Sequence, residues 1–174
     1  MNQINIQYHK IDVGELILGS FQGKLCLLGF GDREMRRAVA GRIKKGLDAE
    51  FVEQNDEVLA KTRKQVDEYL SGNRTEFNIP LLMVGTEFQR RVWKALMKVP
   101  YGVTSTYGQM AEDIGSPKAV RAVGNAIGAN PVSIIIPCHR IIGGDGQLVG
   151  YGGGLSVKKR LLKLEQKSTA LRDD

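Results

Sequence analysis

The chain has 174 residues, a formal net charge of +6 and a sequence pI of about 9.4, a length that holds one domain or two small ones with a real core. Two cysteines, Cys26 and Cys138, and two histidines, His9 and His139, are too few for a disulfide framework or a zinc set, so no metal and no cofactor are expected. No apolar run spans a bilayer, and the polar start Met1-Asn2-Gln3 lacks the basic stretch of a signal peptide, so the expectation is a chain that begins here and works in a reducing cytoplasm, with access to the nucleoid.

The first half reads as a small α/β or α+β unit. Ile4 to Tyr8 alternates as a strand does, and Glu15–Gly19 and Lys24–Leu28 flank a turn at Gln22-Gly23, the pattern of a hairpin. Asp32 to Ile43 is a charged helix candidate. Asn55 is placed to cap a second helix whose Val58, Thr62, Val66 and Leu70 recur every four residues, and Ser71-Gly72 ends it. Phe77-Asn78-Ile79-Pro80 reads as a last short edge strand. Cys26, inside an apolar strand, reads as core, and nothing in this half carries obvious chemistry.

The second half differs in charge. Residues 1–85 hold 12 Lys+Arg and 12 Asp+Glu, net zero, whereas residues 86–174 hold 13 and 7, net +6. A one-sided basic field suits a polyanion such as nucleic acid, and equally a solvated basic face. Thr86-Glu87-Phe88-Gln89 is a capping box opening a helix with Phe88, Val92 and Leu96 on one face, closed by Val99-Pro100-Tyr101-Gly102. A second box, Thr106-Tyr107-Gly108-Gln109, starts a helix that stops at Gly115. Ser116-Pro117 then supplies an N-cap and a first-turn proline for a third helix, through Ala119, Arg121, Ala122, Asn125 and Ile127 to Gly128. Two short helices around a tight turn in a basic region make a helix-turn-helix candidate. Its second helix is unusual for a DNA reader: Ala119, Ala122, Gly124 and Ala126 are small, and Arg121 is almost the only long polar side chain. Such a helix can approach closely yet read little sequence, or it can simply pack tightly. A lone arginine among small residues also suits filling the gap left by an extruded base.

The chemistry concentrates in Ile134-Ile135-Ile136-Pro137-Cys138-His139-Arg140. Three isoleucines suffice for a short buried strand, and Pro137 ends it, which places Cys138 at a rigid strand end. A cysteine is nucleophilic as its thiolate, which nearby imidazolium or guanidinium charge favours, and His139 and Arg140 are adjacent. Neighbours on an extended chain point to opposite faces, so a turn or a bridging water is needed to bring imidazole and thiol together. The pair alone is also compatible with an inert buried cysteine.

Asn130-Pro131, Pro137-Cys138-His139-Arg140, Tyr151-Gly152-Gly153-Gly154-Leu155 and the helix from Lys158 to Glu165 together resemble the O6-alkylguanine-DNA alkyltransferase family, the methylated-DNA–protein-cysteine methyltransferases. The resemblance covers about Thr86 to Gln166; the first half is similar in general layout only. It implies two small domains: a ribonuclease H-like α/β domain over 1–80, and over 86–168 a mainly helical domain carrying the helix-turn-helix and the cysteine. It also implies roles. Cys138 would accept the alkyl group, and His139 would help form its thiolate through a water. Glu165 would stay charged beside His139, Asn130 would hold the active-site turn, and Tyr107 would stabilise or protonate the departing base. Arg121 resembles the family's arginine finger, with Val120, Ala122, Gly124 and Thr106 at the DNA, in the minor groove. Ile141, Tyr151 and Gly152 would line the substrate pocket.

The implied activity is a single irreversible transfer from O6-alkylguanine, and from O4-alkylthymine, in double-stranded DNA, after the base rotates out. A monomer is the simplest expectation. Apart from the resemblance, Leu161, Leu162 and Leu164 read as core and Glu165 as a surface residue. Gly152 stands where many members carry Ser or Trp, and the resemblance then implies a pocket that is more open on that side. A damage sensor of the same fold, a helix-turn-helix regulator and a cysteine hydrolase are the competing readings; the first lacks the acceptor cysteine, the second leaves it idle, and the third gives the basic helix pair no task.

Overall fold

A computed structural model describes residues 2–30, 34–151 and 153–173, with the backbone alone at 34–35 and 169–173. The chain divides into two compact units, Met1–Gly85 and Thr86–Asp174. No helix among the described residues is long and apolar enough to cross a membrane.

In the first unit β1 (Asn2–Ile11), β2 (Gly14–Phe21) and β3 (Lys24–Phe30) form an antiparallel meander, and β4 (Ala49–Glu53) adds to β1 in parallel, giving the order β3-β2-β1-β4. The β2–β3 connection turns on Gln22 (φ 50°) and Gly23 (φ 81°), the two positive dihedrals of a type I′ hairpin turn. Helix α1 (Glu34–Leu47) packs on β3 and β4, and α2 (Glu57–Leu70) on β1, β2 and β3. β3 is buried from Leu25 to Phe30 without alternation, as a strand covered on both faces must be. Cys26 lies in the core with Ile4, Ile6, Leu27, Val39 and Ile43, and burial pushes its thiol up to about 12.

Three expectations for this half need correction. Asp56, not Asn55, caps α2: its carboxylate accepts from Leu59 N at 2.9 Å while also holding Ser20 and Asn5. Helix α2 buries Leu59, Thr62, Val66 and Tyr69 rather than Val58 and Leu70, because a 3.6-residue turn keeps steps of three and four on one face and a strict step of four drifts off it. Phe77–Pro80 forms no strand; the chain touches the sheet beside it, through Leu25 N to Pro80 O (2.8 Å), Leu82 N to Leu25 O (2.9 Å) and a single Leu25–Leu81 bridge. β4 went unforeseen, and Asp32 lies outside the described residues.

The second unit opens with α3 (Glu87–Leu96), where both halves of the Thr86/Gln89 box form, at 3.1 and 3.0 Å. It buries Val92, Leu96 and Trp93, whose indole donates to Ala126 O at 2.8 Å, whereas Phe88 is only half-buried. Strand β5 (Ser105–Thr106) leads into α4 (Tyr107–Asp113), where only half of the expected box exists. Thr106 accepts from Gln109 N at 3.1 Å, but the Gln109 amide turns forward to Asp113. Gly115 (φ 76°) closes α4 with Gly115 N to Glu112 O and Ser116 N to Ala111 O, the two bonds of a Schellman motif. Ser116-Pro117 does not start the next helix. Ala119 N returns to Ser116 O at 2.9 Å, a turn with proline at its second position, and α5 runs only from Val120 to Gly128 with no side-chain cap. Helix α3 packs on both α4 and α5. Beyond them come one 3₁₀ turn (Cys138–Arg140), β6 (Ile141–Ile142) paired in parallel with β5, and α6 (Leu155–Asp173).

Candidate active site

Every residue from Asn130 to Ile141 is buried. The isoleucine run within it is not the expected strand. Ile134 takes φ +71°, and Ile135 N returns to Ser133 O at 2.8 Å, closing a three-residue turn of the strained kind around a β-branched residue. Asn130 accounts for this shape: its amide donates to Ile136 O and its carbonyl accepts from Val132 N, each at 2.9 Å, satisfying groups that a strand would offer to a neighbour. Pro137 (φ −82°, ψ 62°), spanned by Cys138 N to Ile136 O at 2.8 Å, makes an inverse γ-turn that delivers Cys138 into the 3₁₀ turn. The turn expected at the Cys-His pair is therefore present, built differently from a strand end.

Cys138 is 8% exposed; His139 and Glu165 are fully buried. His139 Nε2 lies 2.6 Å from Glu165 Oε2, so the proton of neutral imidazole sits on Nε2 and the lone pair on Nδ1. Burial pushes the His139 pKa down, against the opposing pull of Glu165. Burial also acts to raise Glu165, yet the His139 and Arg140 donors outweigh it and hold the carboxyl at about 2. The carboxylate accepts four N–H groups. Gly102 N (3.3 Å) and Arg140 Nε (2.8 Å) reach Oε1, while His139 Nε2 and Arg140 Nη2 (3.1 Å) reach Oε2.

Arg140 therefore grips Glu165, donates its remaining arm to Val99 O at 2.7 Å and stacks over Tyr101 at 5.7 Å. Lys158 is buried too, its ammonium donating to the carbonyls of Ile141 (2.5 Å), Val149 (2.9 Å) and Gly150 (3.2 Å). Burial lowers its pKa while Cys138 acts to raise it. Sequence reasoning missed both roles, and a signal existed: Lys158, Leu161, Leu162 and Glu165 occupy the i, i+3, i+4, i+7 stripe of α6, so both charges point where the leucines do. Leu164, expected in the core, falls off that stripe and is half-buried. Glu165, read as a surface residue from local pattern alone, is buried for the same geometric reason.

Tyr107 reaches the site because β5 pairs with β6, Ser105 opposite Ile141 and Thr106 opposite Ile142. Its hydroxyl donates to Val149 O at 3.1 Å, and burial and then Cys138 raise its pKa, keeping it a phenol. Gly124 lies where a Cβ would stand 3.7 Å from the Tyr107 ring. On α5, Val120, Arg121, Ala122 and Asn125 are exposed while Val123, Ala126 and Ile127 face inward. Thr106 serves as the cap of α4. Ile141 is fully buried, Tyr151 half-buried, and Gly152 lies outside the described residues. Among the described residues, no three His, Cys, Asp or Glu side chains gather closely enough to hold a metal.

Comparison with known proteins accords with this geometry. Residues 87–167 match the family model of the 6-O-methylguanine DNA methyltransferase DNA binding domain, and residues 6–83 that of its ribonuclease-like domain. A methylated-DNA–protein-cysteine methyltransferase of Mycobacterium leprae is 56% identical over 107 residues, 62% of this chain and 65% of that protein, just under two thirds of its length. An inducible one from Bacillus subtilis is 45% identical over 130 residues, 75% of this chain and 73% of that protein. A crystal structure of Mycobacterium tuberculosis OGT in complex with DNA superposes with a TM-score of 0.80 at 37% identity, covering 95% of this chain and 94% of that one. A buried Cys-His-Glu arrangement beside a helix-turn-helix, in a chain whose two halves match the two domains of one family in order, has one reading: the chain belongs to the 6-O-methylguanine DNA methyltransferase family.

Proposed function

We propose that the protein repairs DNA by moving an alkyl group from O6-alkylguanine, and from O4-alkylthymine, irreversibly onto Cys138. The observation that carries the reading is Cys138 on a turn clamped by Asn130, beside a buried His139–Glu165 pair, in the unit that matches the family's DNA binding domain. The relatives are named methylated-DNA–protein-cysteine methyltransferases, and the Mycobacterium tuberculosis neighbour was crystallised with DNA.

The proton of the Cys138 thiol passes to His139 Nδ1 through a water, and the sulfur attacks the alkyl carbon in line. A sulfur–carbon bond forms as the carbon–O6 bond breaks, leaving that electron pair on the base. Tyr107 gives the departing base a proton and regains one from the imidazolium. Thiol plus O6-alkylguanine thus becomes thioether plus guanine, with no proton left over. A thioether is not hydrolysed, so each chain reacts once. Since displacement needs only a thiolate, alignment and a stabilised leaving group, a single chain without metal or cofactor is the working unit. A free nucleophilic cysteine fits the reducing cytoplasm.

The target carbon is buried in a duplex, so the nucleotide must rotate out, costing a few kcal/mol and less for a damaged pair. Arg121, exposed on α5 among Val120, Ala122 and Gly124, enters the vacated stack from the minor groove. Ile141 and Tyr151 line the receiving pocket. Intact-protein mass after mixing with a duplex carrying one O6-methylguanine tests the reading. One methyl gain, mapped to Cys138 and absent in Cys138→Ser, is expected; a chain that binds the lesion and stays unmodified would be a damage sensor instead.

A further inference from the structure

We propose that Trp93 is a positioning residue for lesion extrusion. Its indole N–H holds the C-terminal end of α5 in one place, and so fixes where Arg121 enters the duplex relative to Cys138. The proposal rests on the alkyl-transfer reading and deepens it, since Trp93 is fully buried and acts through α5, not on the DNA itself.

Three observations carry it. First, the two ends of α5 are held unequally. The helix starts at Val120 with no side-chain cap, and Val120, Arg121 and Ala122 are exposed there. At the other end the ladder stops: Asn130 N bonds Ile127 O at 3.2 Å, and the carbonyls of a last turn are left for other donors. Ala126 O takes a longer bond from Ala129 N, at 3.2 Å, and a shorter one from the Trp93 indole, at 2.8 Å. Second, α3 grips the partner helix in the same way, because the Arg91 guanidinium donates to the carbonyl of Ile114, the C-cap of α4. One helix thus fixes both members of the helix-turn-helix by carbonyls at their C-terminal ends. Third, the anchored end of α5 runs directly into the nucleophile's turn. Asn130, in the turn that follows Ala126, clamps Val132 N and Ile136 O around the segment that delivers Cys138. The same joint therefore carries the arginine finger on one side and the acceptor on the other.

A buried tryptophan usually finds an acceptor, so the bond alone is ordinary packing. Leverage gives it a consequence. Arg121 lies five residues before Ala126, about 7.5 Å along the helix axis. A tilt of about 10° at the anchored end then carries the Arg121 backbone about 1 Å sideways, the scale at which a misplaced group slows a reaction. Without the indole donor, Val123, Ala126 and Ile127 still face inward, so α5 persists while its end is held less narrowly. The cysteine turn keeps its own Asn130 clamp. Loss of the donor therefore separates two steps: filling of the vacated stack suffers, and methyl transfer to the sulfur does not.

Trp93 is the chain's one tryptophan, so the donor can be removed in two ways. Trp93→Phe removes the N–H with part of the ring. Biosynthetic replacement of tryptophan by benzothienylalanine, in which sulfur stands for the N–H, removes the donor at nearly constant shape. Single-turnover methyl transfer is followed in the native chain and both variants on O6-methylguanine paired within a duplex, and on the same strand unpaired, where no base has to leave a stack. At saturating DNA both variants should be about 5–10-fold slower on the duplex, the size of one buried hydrogen bond, and within about twofold of native on the single strand. Equal slowing on both substrates would make Trp93 merely structural and overturns the proposal. Slowing in Trp93→Phe alone also overturns it, since ring shape and not the donor would then set α5, and so does an unslowed duplex reaction in both. Should Trp93→Phe not fold, the benzothienylalanine chain decides by the same ratio. Failure of the transfer reading is a separate outcome, seen as no methyl transfer by the native chain from either substrate.

Discussion

At the scale of single residues the site is held by side chains that replace ordinary secondary structure. Asn130 spends its amide on Ile136 O and Val132 N, and in doing so keeps Ile134 at φ +71° in a buried turn. Asn130→Ala takes the amide partner from the buried Val132 N–H and leaves Ile136 O with its bond from Cys138 N, so the expected loss is about 1–3 kcal/mol, read as a lower denaturant midpoint with the slope unchanged. A loss below about 1 kcal/mol would mean that packing of the isoleucines, and not the amide, sets the turn. Asn130 and Cys138 were legible because the residues beside them are distinctive. The conformation of Ile134 was not, since nothing about three isoleucines in a row announces a left-handed backbone.

Among elements, the helix starts separate what a local signal can and cannot deliver. Thr86-Glu87-Phe88-Gln89 and Thr106-Tyr107-Gly108-Gln109 look alike, yet only the first forms both bonds. Thr86→Ala and Thr106→Ala should each cost about 1 kcal/mol, while Gln109→Ala should leave the start of α4 almost unchanged, because its amide bonds Asp113. Thermal unfolding of the three variants checks this, and equal losses for all three would contradict the assignment. The meander and the capped helices were visible in the sequence. β4 was hidden because five residues with two glutamates carry little strand signal, and their pairing with β1 depends on a chain reversal through α1. Ser116-Pro117 misled for the opposite reason: the same dipeptide that starts a helix also starts a turn.

For the whole molecule, buried titrating groups make stability depend on acid. His139 lies below its ordinary 6.5 when folded, so as pH falls the unfolded chain takes up that proton first, and stability declines from about 6.5 downward. Glu165 sits at about 2 against an ordinary 4.5. Its contribution is complete above 4.5 and disappears as pH falls through that interval towards 2. Asp56 in the first unit is lowered as well, its Ser20, Asn5 and backbone donors outweighing burial, and so adds a decline of the same sign. The melting temperature should therefore fall steadily between about pH 6.5 and 3, and Glu165→Gln should remove the share lost below about pH 4.5 while the decline that begins near 6.5 at His139 remains. A native profile flat across that range would contradict the buried network.

The sequence by itself determined the Cys-His motif, the basic second half, the starts of α3 and α4 and the family, because each is written in residues that are adjacent or a turn apart. Only the tertiary structure decided that Glu165 is buried, that Arg140 serves Glu165 instead of the sulfur, and that Lys158 binds the carbonyls of Ile141, Val149 and Gly150. Those pairings join residues 8 to 25 positions apart. They exist because α6 packs its charged stripe against the 3₁₀ turn, and where a helix packs is set by the shape and burial of everything around it, which no short stretch of sequence contains.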